Sequence, residues 1–234
     1  MLTLLYDTDV DSLTPTQKTQ LDAQSDYCFV GLFAECDKLI SASDLYFPSN
    51  LVNGSNTPEH HFTDMFRDCV NLQTADFYIS TGQLLDSAYE RMFLGCSSLT
   101  VAPHLPSTSL GPHCYQAMFS GCTSLVNAPE LPATNLVAGC YDGMFGQYPS
   151  DGTTYHGKNY SGCTSLNNIT MRGTYYSDEN APSSWYLDVG TPPTSTLIHP
   201  LRNWVKGVAA NGTFTGDSNW PVASSANEYK GKPW

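Results

Sequence analysis

One motif returns along this chain at a nearly constant interval, and any fold must accommodate it. Phe33, Phe66, Phe93, Phe119 and Phe145 head five related segments, spaced 33, 27, 26 and 26 residues apart. A period near 26 lies within the leucine-rich-repeat range of about 20–29 residues. In the fullest copy Tyr115, Met118, Phe119 and Cys122 stand at i, i+3, i+4 and i+7, the spacing of one helical stripe. Phe29/Leu32/Phe33/Cys36, Phe62/Met65/Phe66/Cys69 and Tyr89/Met92/Phe93/Cys96 repeat it, and Tyr141/Met144/Phe145 begins it again. Gly95 and Gly121 follow as left-handed stops, and Ser87 with Glu90 has capping-box spacing. Beyond the Cys the pattern becomes Leu99/Ala102/Pro103 and Leu125/Ala128/Pro129, an extended segment ended by a residue that cannot donate to a ladder. Each unit reads as one short helix plus one short strand. Neither buries its apolar side alone, so the units must stack.

The expected fold is therefore an α/β solenoid, a right-handed leucine-rich-repeat superhelix with one short helix and one short strand per unit of about 26 residues. Residues 27–170 form the solenoid. Residues 1–26 are an N-terminal cap or assembly anchor, with a strand at Leu2–Tyr6 and a helix after Thr14-Pro15-Thr16-Gln17. Residues 171–234 are a C-terminal cap or small module. The structural core comprises Phe33, Phe66, Phe93, Phe119 and Phe145 together with Cys36, Cys69, Cys96, Cys122 and Cys163, which share one repeat position. Cys28, Cys114 and Cys140 share a second. The expectation is two ladders of buried, reduced thiols. No Cys-x-x-Cys pair is present to hold zinc. Asp7, Asp9 and Asp11 open like a calcium loop, but Ser12 and Lys18 stand where Gly and the bidentate Glu belong. No metal and no cofactor is assigned.

The fifth copy is interrupted by an insertion, 146–160, and the first interval by a smaller one around Pro48–Pro58. Insertions into stacked repeats map to surface loops, often on the binding side. This one carries Tyr148, Tyr155, His156, Lys158 and Tyr160 among Gly, Ser, Thr and Asn. Residues 172–188 add Arg172, Tyr175, Tyr176, Trp185 and Tyr186. Aromatic anchors amid small polar residues suit adaptable recognition, so these are the candidate ligand-binding residues.

Composition narrows the function. Ten basic residues against 22 acidic ones give a net charge of −12. That argues against phosphate-binding surfaces, hence against nucleic acid and anionic membranes. No apolar run reaches the ~18 residues of a membrane span. The stretch from Met1 to Asp7 lacks a basic start, so no secretion leader is expected. None of the six His lies in a metalloprotease or hydrolase motif. No catalytic residue is assigned, and the expectation is a non-enzyme.

The string Cys114-Tyr-x-x-Met118-Phe119-x-Gly121-Cys122-Thr-Ser-Leu125-x-x-Ala128-Pro129-x-Leu131-Pro132-Ala-Thr-x-Leu136 resembles the BspA-like bacterial leucine-rich repeats of gut anaerobes and their phages. The segment from Trp204 to Phe214 resembles the one that follows the last repeat in such proteins. The resemblance implies a curved solenoid used for adhesion, with no catalytic residues to carry over. Two departures stand out: the missing leader, and Glu35 and Asp68 where later units have Gly. The expected function is a non-enzymatic interaction protein on an outer surface. It would be a phage virion fibre or decoration subunit attaching to the host or to other subunits, with a bacterial cell-surface adhesin fragment as the alternative and a glycan hydrolase as the third reading. Expected partners are sister virion subunits, a host surface protein, a surface glycan or further copies of the chain. The expected location is the virion surface, or else the bacterial surface or exterior.

Overall fold

A computed structural model describes residues 29–45, 56–57, 60–79, 81–174, 180–189 and 194–216. The strand, helix and calcium-like loop expected before residue 29 lie outside the described residues, as do Cys28, Tyr175, Tyr176 and most of the insertion around Pro48–Pro58.

The segments with i, i+3, i+4, i+7 spacing are not helices. An α-helix closes N–H(i) onto the carbonyl of residue i−4. Here the N–H groups of Glu90, Met92, Leu94 and Cys96 donate instead to the carbonyls of Ser87, Tyr89, Arg91 and Phe93, three residues back. The alternate N–H groups, of Ser87, Tyr89, Arg91, Phe93 and Gly95, leave the segment altogether. They donate to the carbonyls of Pro112, Cys114, Gln116, Met118 and Ser120 in the next copy, at 2.8–3.0 Å. Each segment is thus a ribbon of successive turns, half of whose amides bind the neighbouring ribbon.

Its local period is four residues. Backbone φ is positive at Ser87, Arg91 and Gly95 (53°, 54°, 77°) and again at His113, Ala117 and Gly121 (52°, 51°, 81°). A left-handed residue at every fourth position cannot continue a right-handed helix. The α/β solenoid of helix plus strand is therefore corrected. Among the described residues there is no α-helix, only a 3-10 turn at Ser183–Trp185 and a few short strands. Over seven residues, periods of 3.6 and 4 place the same four side chains on one side, so the spacing alone does not separate them. Ser87 is no N-cap either: it is left-handed, and its hydroxyl donates to Asp86.

The extended half of each unit is shorter than expected. β1 (Asn56–Thr57) pairs in parallel with β2 (Gln83–Leu84), and β3 (Asn168–Thr170) pairs in parallel with a final strand, Thr213–Thr215. Elsewhere the contacts are single parallel bridges: Ser41 to Thr74 to Val101, Tyr78 to His104, Asn127 to Asn168, and Leu131 to Met171. Pro103 and Pro129, without an N–H, interrupt any longer ladder.

Backbone bonding defines six coils among the described residues: 29–45, 60–79, 83–105, 110–131, 137–147 with 161–172, and 200–215. The sixth was not visible as a repeat. Leu201, Trp204, Val205 and Val208 keep the i, i+3, i+4, i+7 spacing without Met-Phe or Cys. The N–H groups of Tyr141, Gly143 and Phe145 donate to Pro200, Arg202 and Trp204, which sets this segment in register on the fifth coil. Between the two coils β4 (Tyr186–Val189) and β5 (Thr194–Leu197) pair antiparallel, so the Thr213–Thr215 strand is β6.

Shared register produces three columns inside. Phe33, Phe66, Phe93, Phe119 and Phe145 stack nearly parallel with centroids 5.4, 5.2, 5.7 and 5.6 Å apart. Phe29, Phe62, Tyr89, Tyr115 and Tyr141 form a second column at 5.5, 5.1, 5.9 and 5.8 Å. In the third, the thiols of Cys69, Cys96, Cys122 and Cys163 donate to the carbonyls of Phe33, Phe66, Phe93 and Phe119 at 3.0–3.2 Å. Phe66, Phe93, Phe119, Phe145 and those four cysteines are fully buried. Phe33 is only partly buried and Cys36 is exposed. Both belong to the first described coil, which has a described neighbour on one side only. All seven described cysteines are free thiols. Burial pushes the Cys69 thiol up to about 11 and Cys140 to about 12.

Two outcomes follow. Phe119→Ala removes a ring stacked on both sides and should cost roughly 3–5 kcal/mol, read as a lowered denaturant midpoint. At pH 8 iodoacetamide should modify Cys36 in the native protein but reach Cys69, Cys96, Cys122, Cys140 and Cys163 only after unfolding, as peptide mass mapping would show.

Candidate recognition surfaces

The insertion folds into a hairpin. Tyr148 and Tyr160 exchange both backbone bonds at its base (3.0 and 2.7 Å), and Tyr155 and Lys158 do so at its tip (2.9 and 3.0 Å). His156 and Gly157, at φ 48° and 74°, make the two-residue turn, which needs positive φ at both positions. The chain leaves the fifth coil at Gln147 and rejoins it at Ser161, whose carbonyl accepts the Gly121 N–H at 2.8 Å.

The hairpin lies back across earlier coils. Tyr155 donates its hydroxyl to Asp64 Oδ2 at 2.6 Å. Lys158 Nζ and the Tyr160 hydroxyl both donate to Asp68 Oδ2 at 3.0 Å. Arg91 holds Asp64 through Nε (3.2 Å) and Nη2 (3.4 Å), and its guanidinium lies 4.5 Å from the Tyr155 ring centre. Arg67 bridges Asp68 (2.8 Å) and Glu35 (3.0 Å). Burial and the Asp64 carboxylate together push the Tyr155 hydroxyl up to about 12. Burial, with Asp68 beside it, raises Tyr160 as well.

These placements redistribute the candidate ligand residues. Tyr160 is buried, and Tyr148 and Tyr155 are half-buried and engaged with each other edge to face at 5.8 Å. Lys158 is exposed but its ammonium is spent on Asp68. His156 alone in the hairpin is an exposed ring, set perpendicular to that of Tyr155 at 4.5 Å. Trp185 is buried as well: its indole N–H donates to the Leu136 carbonyl at 3.2 Å and its ring meets His199. Trp185 is therefore not a surface anchor. Tyr186 is exposed. Arg172 is exposed and ion-paired with Glu130 at 2.7 Å.

A different surface carries exposed aromatic chemistry. Along 75–79, Ala75, Phe77 and Ile79 point inward while Asp76 and Tyr78 point out, the alternation of an extended chain. Tyr78 is 65% exposed. It bridges to His104 in parallel register, fixed by the N–H of His104 donating to Phe77 (2.8 Å) and that of Ile79 donating to His104 (3.2 Å). The two rings lie 4.3 Å apart and nearly parallel. His104 Nε2 is 3.1 Å from Asp76 Oδ1, and the Asp76 N–H donates to Ser43 Oγ at 3.0 Å. Glu130 takes the His104 position in the next copy, Ala-Pro-Glu-Leu-Pro against Ala-Pro-His-Leu-Pro. Val101 and Val126 are exposed as well. The period-two pattern around Tyr78, and comparison of positions 104 and 130 between copies, are the signals that mark this row in the sequence.

Among the described residues no three His, Cys, Asp or Glu side chains converge on a metal position, and no helix is long and apolar enough to cross a membrane. Compared with family models, with curated proteins and with solved structures, the chain matches none of them.

Proposed function

We propose that this chain is a non-enzymatic interaction protein displayed on an outer surface, as a phage fibre or decoration subunit that attaches to a host or to sister subunits. The observation that carries the reading is the exposed row of Tyr78, His104 and Asp76. Leaving a tyrosine ring largely in water forfeits stabilisation that burial would supply. The ring is nonetheless held in place, between a backbone pinned by buried Phe77 and Ile79 and the parallel face of His104. A rigid aromatic with its polar tip free loses little entropy on binding. Glu130 and Arg172 continue the row with charge of both signs. Coil-by-coil repetition of weak contacts suits avidity on a surface. Two features support the virion reading: the resemblance of the 114–136 string to repeats found in phage proteins, and described cysteines that are all free thiols and so compatible with folding in a reducing cytoplasm.

Mass spectrometry of purified particles should find the chain among virion proteins. Its presence in the cell envelope and absence from particles would favour the bacterial adhesin instead. Tyr78→Ala and His104→Ala should lower binding to host cells or to sister subunits by about tenfold or more, with the thermal midpoint nearly unchanged. Unaltered binding in both variants would remove the row from the recognition surface.

A further inference from the structure

We propose that the hairpin at 148–160 is an internal clasp that joins coils two to five into one cooperative unit, rather than a loop reserved for a ligand. In a stack each unit touches only its neighbours, so stability is a chain of nearest-neighbour terms and terminal units fray first. The hairpin breaks that limit. It leaves from the fifth coil and bonds to Asp64 and Asp68 in the second, crossing the third and fourth.

The sequence of each crossed coil fits this path. Backbone register aligns Asp68 with Gly95 and Gly121, and Asp64 with Arg91 and Ala117. A side chain at Gly95 would lie 2.7 Å from the Tyr160 ring, and one at Gly121 would lie 3.2 Å from it. The two glycines are thus the bed on which Tyr160 rests. Asp68, one coil further, has the same left-handed backbone, φ 60°, which glycine adopts without strain. The chain carries Asp there, and both Lys158 and Tyr160 donate to it. Arg91, left-handed at φ 54°, likewise serves Asp64 and the Tyr155 ring. The departures of the second coil from the repeat and the insertion in the fifth are two halves of one contact.

Asp68→Gly restores the residue of the later coils and relieves the backbone, but it also removes the Arg67 ion pair, so hairpin protection read together with the urea midpoint separates this account from its opposite. The clasp requires a lower midpoint and loss of hydrogen-exchange protection at the amides of Tyr148, Tyr155, Lys158 and Tyr160, by about tenfold or more. Adding Tyr160→Phe to Asp68→Gly should then change little, since the hydroxyl has already lost its acceptor. Tyr160→Phe alone keeps the ring on its glycine bed and tests the contact should Asp68→Gly not fold. It should speed exchange at the same four amides. In the unaltered protein the protected amides of coils two and five should open with one common free energy and separate in Asp68→Gly. Distinct opening energies in the unaltered protein, an unchanged or raised midpoint in Asp68→Gly, or unchanged hairpin protection in Tyr160→Phe would each overturn the proposal.

Discussion

The structure depends on how its amides are divided. In each turn ribbon one N–H folds back onto its own coil and the next reaches the adjacent coil. Buried backbone groups must find partners, and here half of them find one only if a second coil is in place. A single unit is therefore incomplete, whatever its apolar content. Register follows at once. Bonds of 2.7–3.1 Å between corresponding positions bring matching side chains to about one strand spacing, and the ring columns at 5.1–5.9 Å are the consequence. The thiol column uses the same geometry. Each phenylalanine carbonyl in coils two to four accepts the N–H three residues on from its own coil and an S–H from the next. This explains why a small residue with a weak donor recurs at that position, where Ala would leave a lone pair unused and Ser would bury a stronger polar group.

Much of this interior was legible. The 26-residue interval, the four apolar positions in each copy and the need to stack were all readable from Phe66, Phe93 and Phe119 with their Met and Cys companions. The backbone that links those positions was not. Seven residues are too few to distinguish a period of 4 from one of 3.6. The deciding fact, that Arg91 and Ala117 are left-handed, has no marker in residue types that ordinarily avoid that region. The left-handed conformation of Gly95 and Gly121 is legible from residue type, but it marks one beat of a four-residue rhythm rather than the ends of helices. The sixth coil stayed hidden because Trp204, Val205 and Val208 keep the spacing and change every residue that made the motif recognisable.

The surface was harder to read, for a reason that is also physical. Aromatic and small polar residues in 146–160 have the composition of a binding loop, and composition is the same whether the partner is another molecule or the chain itself. Only the location of Asp64, Asp68 and Arg91 decides, and these lie more than fifty residues upstream. Tyr78 and His104 presented the converse problem. Each is inconspicuous alone, and they form a platform only because parallel register sets them side by side.

A backbone with constant register lets one coil differ from the next without disturbing the stack. Where the local conformation tolerates several residues, each coil can place a different side chain at the same point of its circuit. On the extended side that point reads Tyr78, His104 and Glu130 in three successive coils. On the turn side it reads Asp68, Gly95 and Gly121. The first series faces solvent and alternates ring, imidazole and carboxylate. The second faces the hairpin, and runs from a charge that anchors it to two bare backbones that make room. The repeat supplies the spacing and the exceptions supply the chemistry, so the most informative positions are those where a copy departs from its siblings at a conserved point of the backbone. Asp68 is the clearest of these. Its left-handed site suits glycine, and its carboxylate instead gathers the guanidinium of its neighbour Arg67 with an ammonium and a phenol from the distant hairpin.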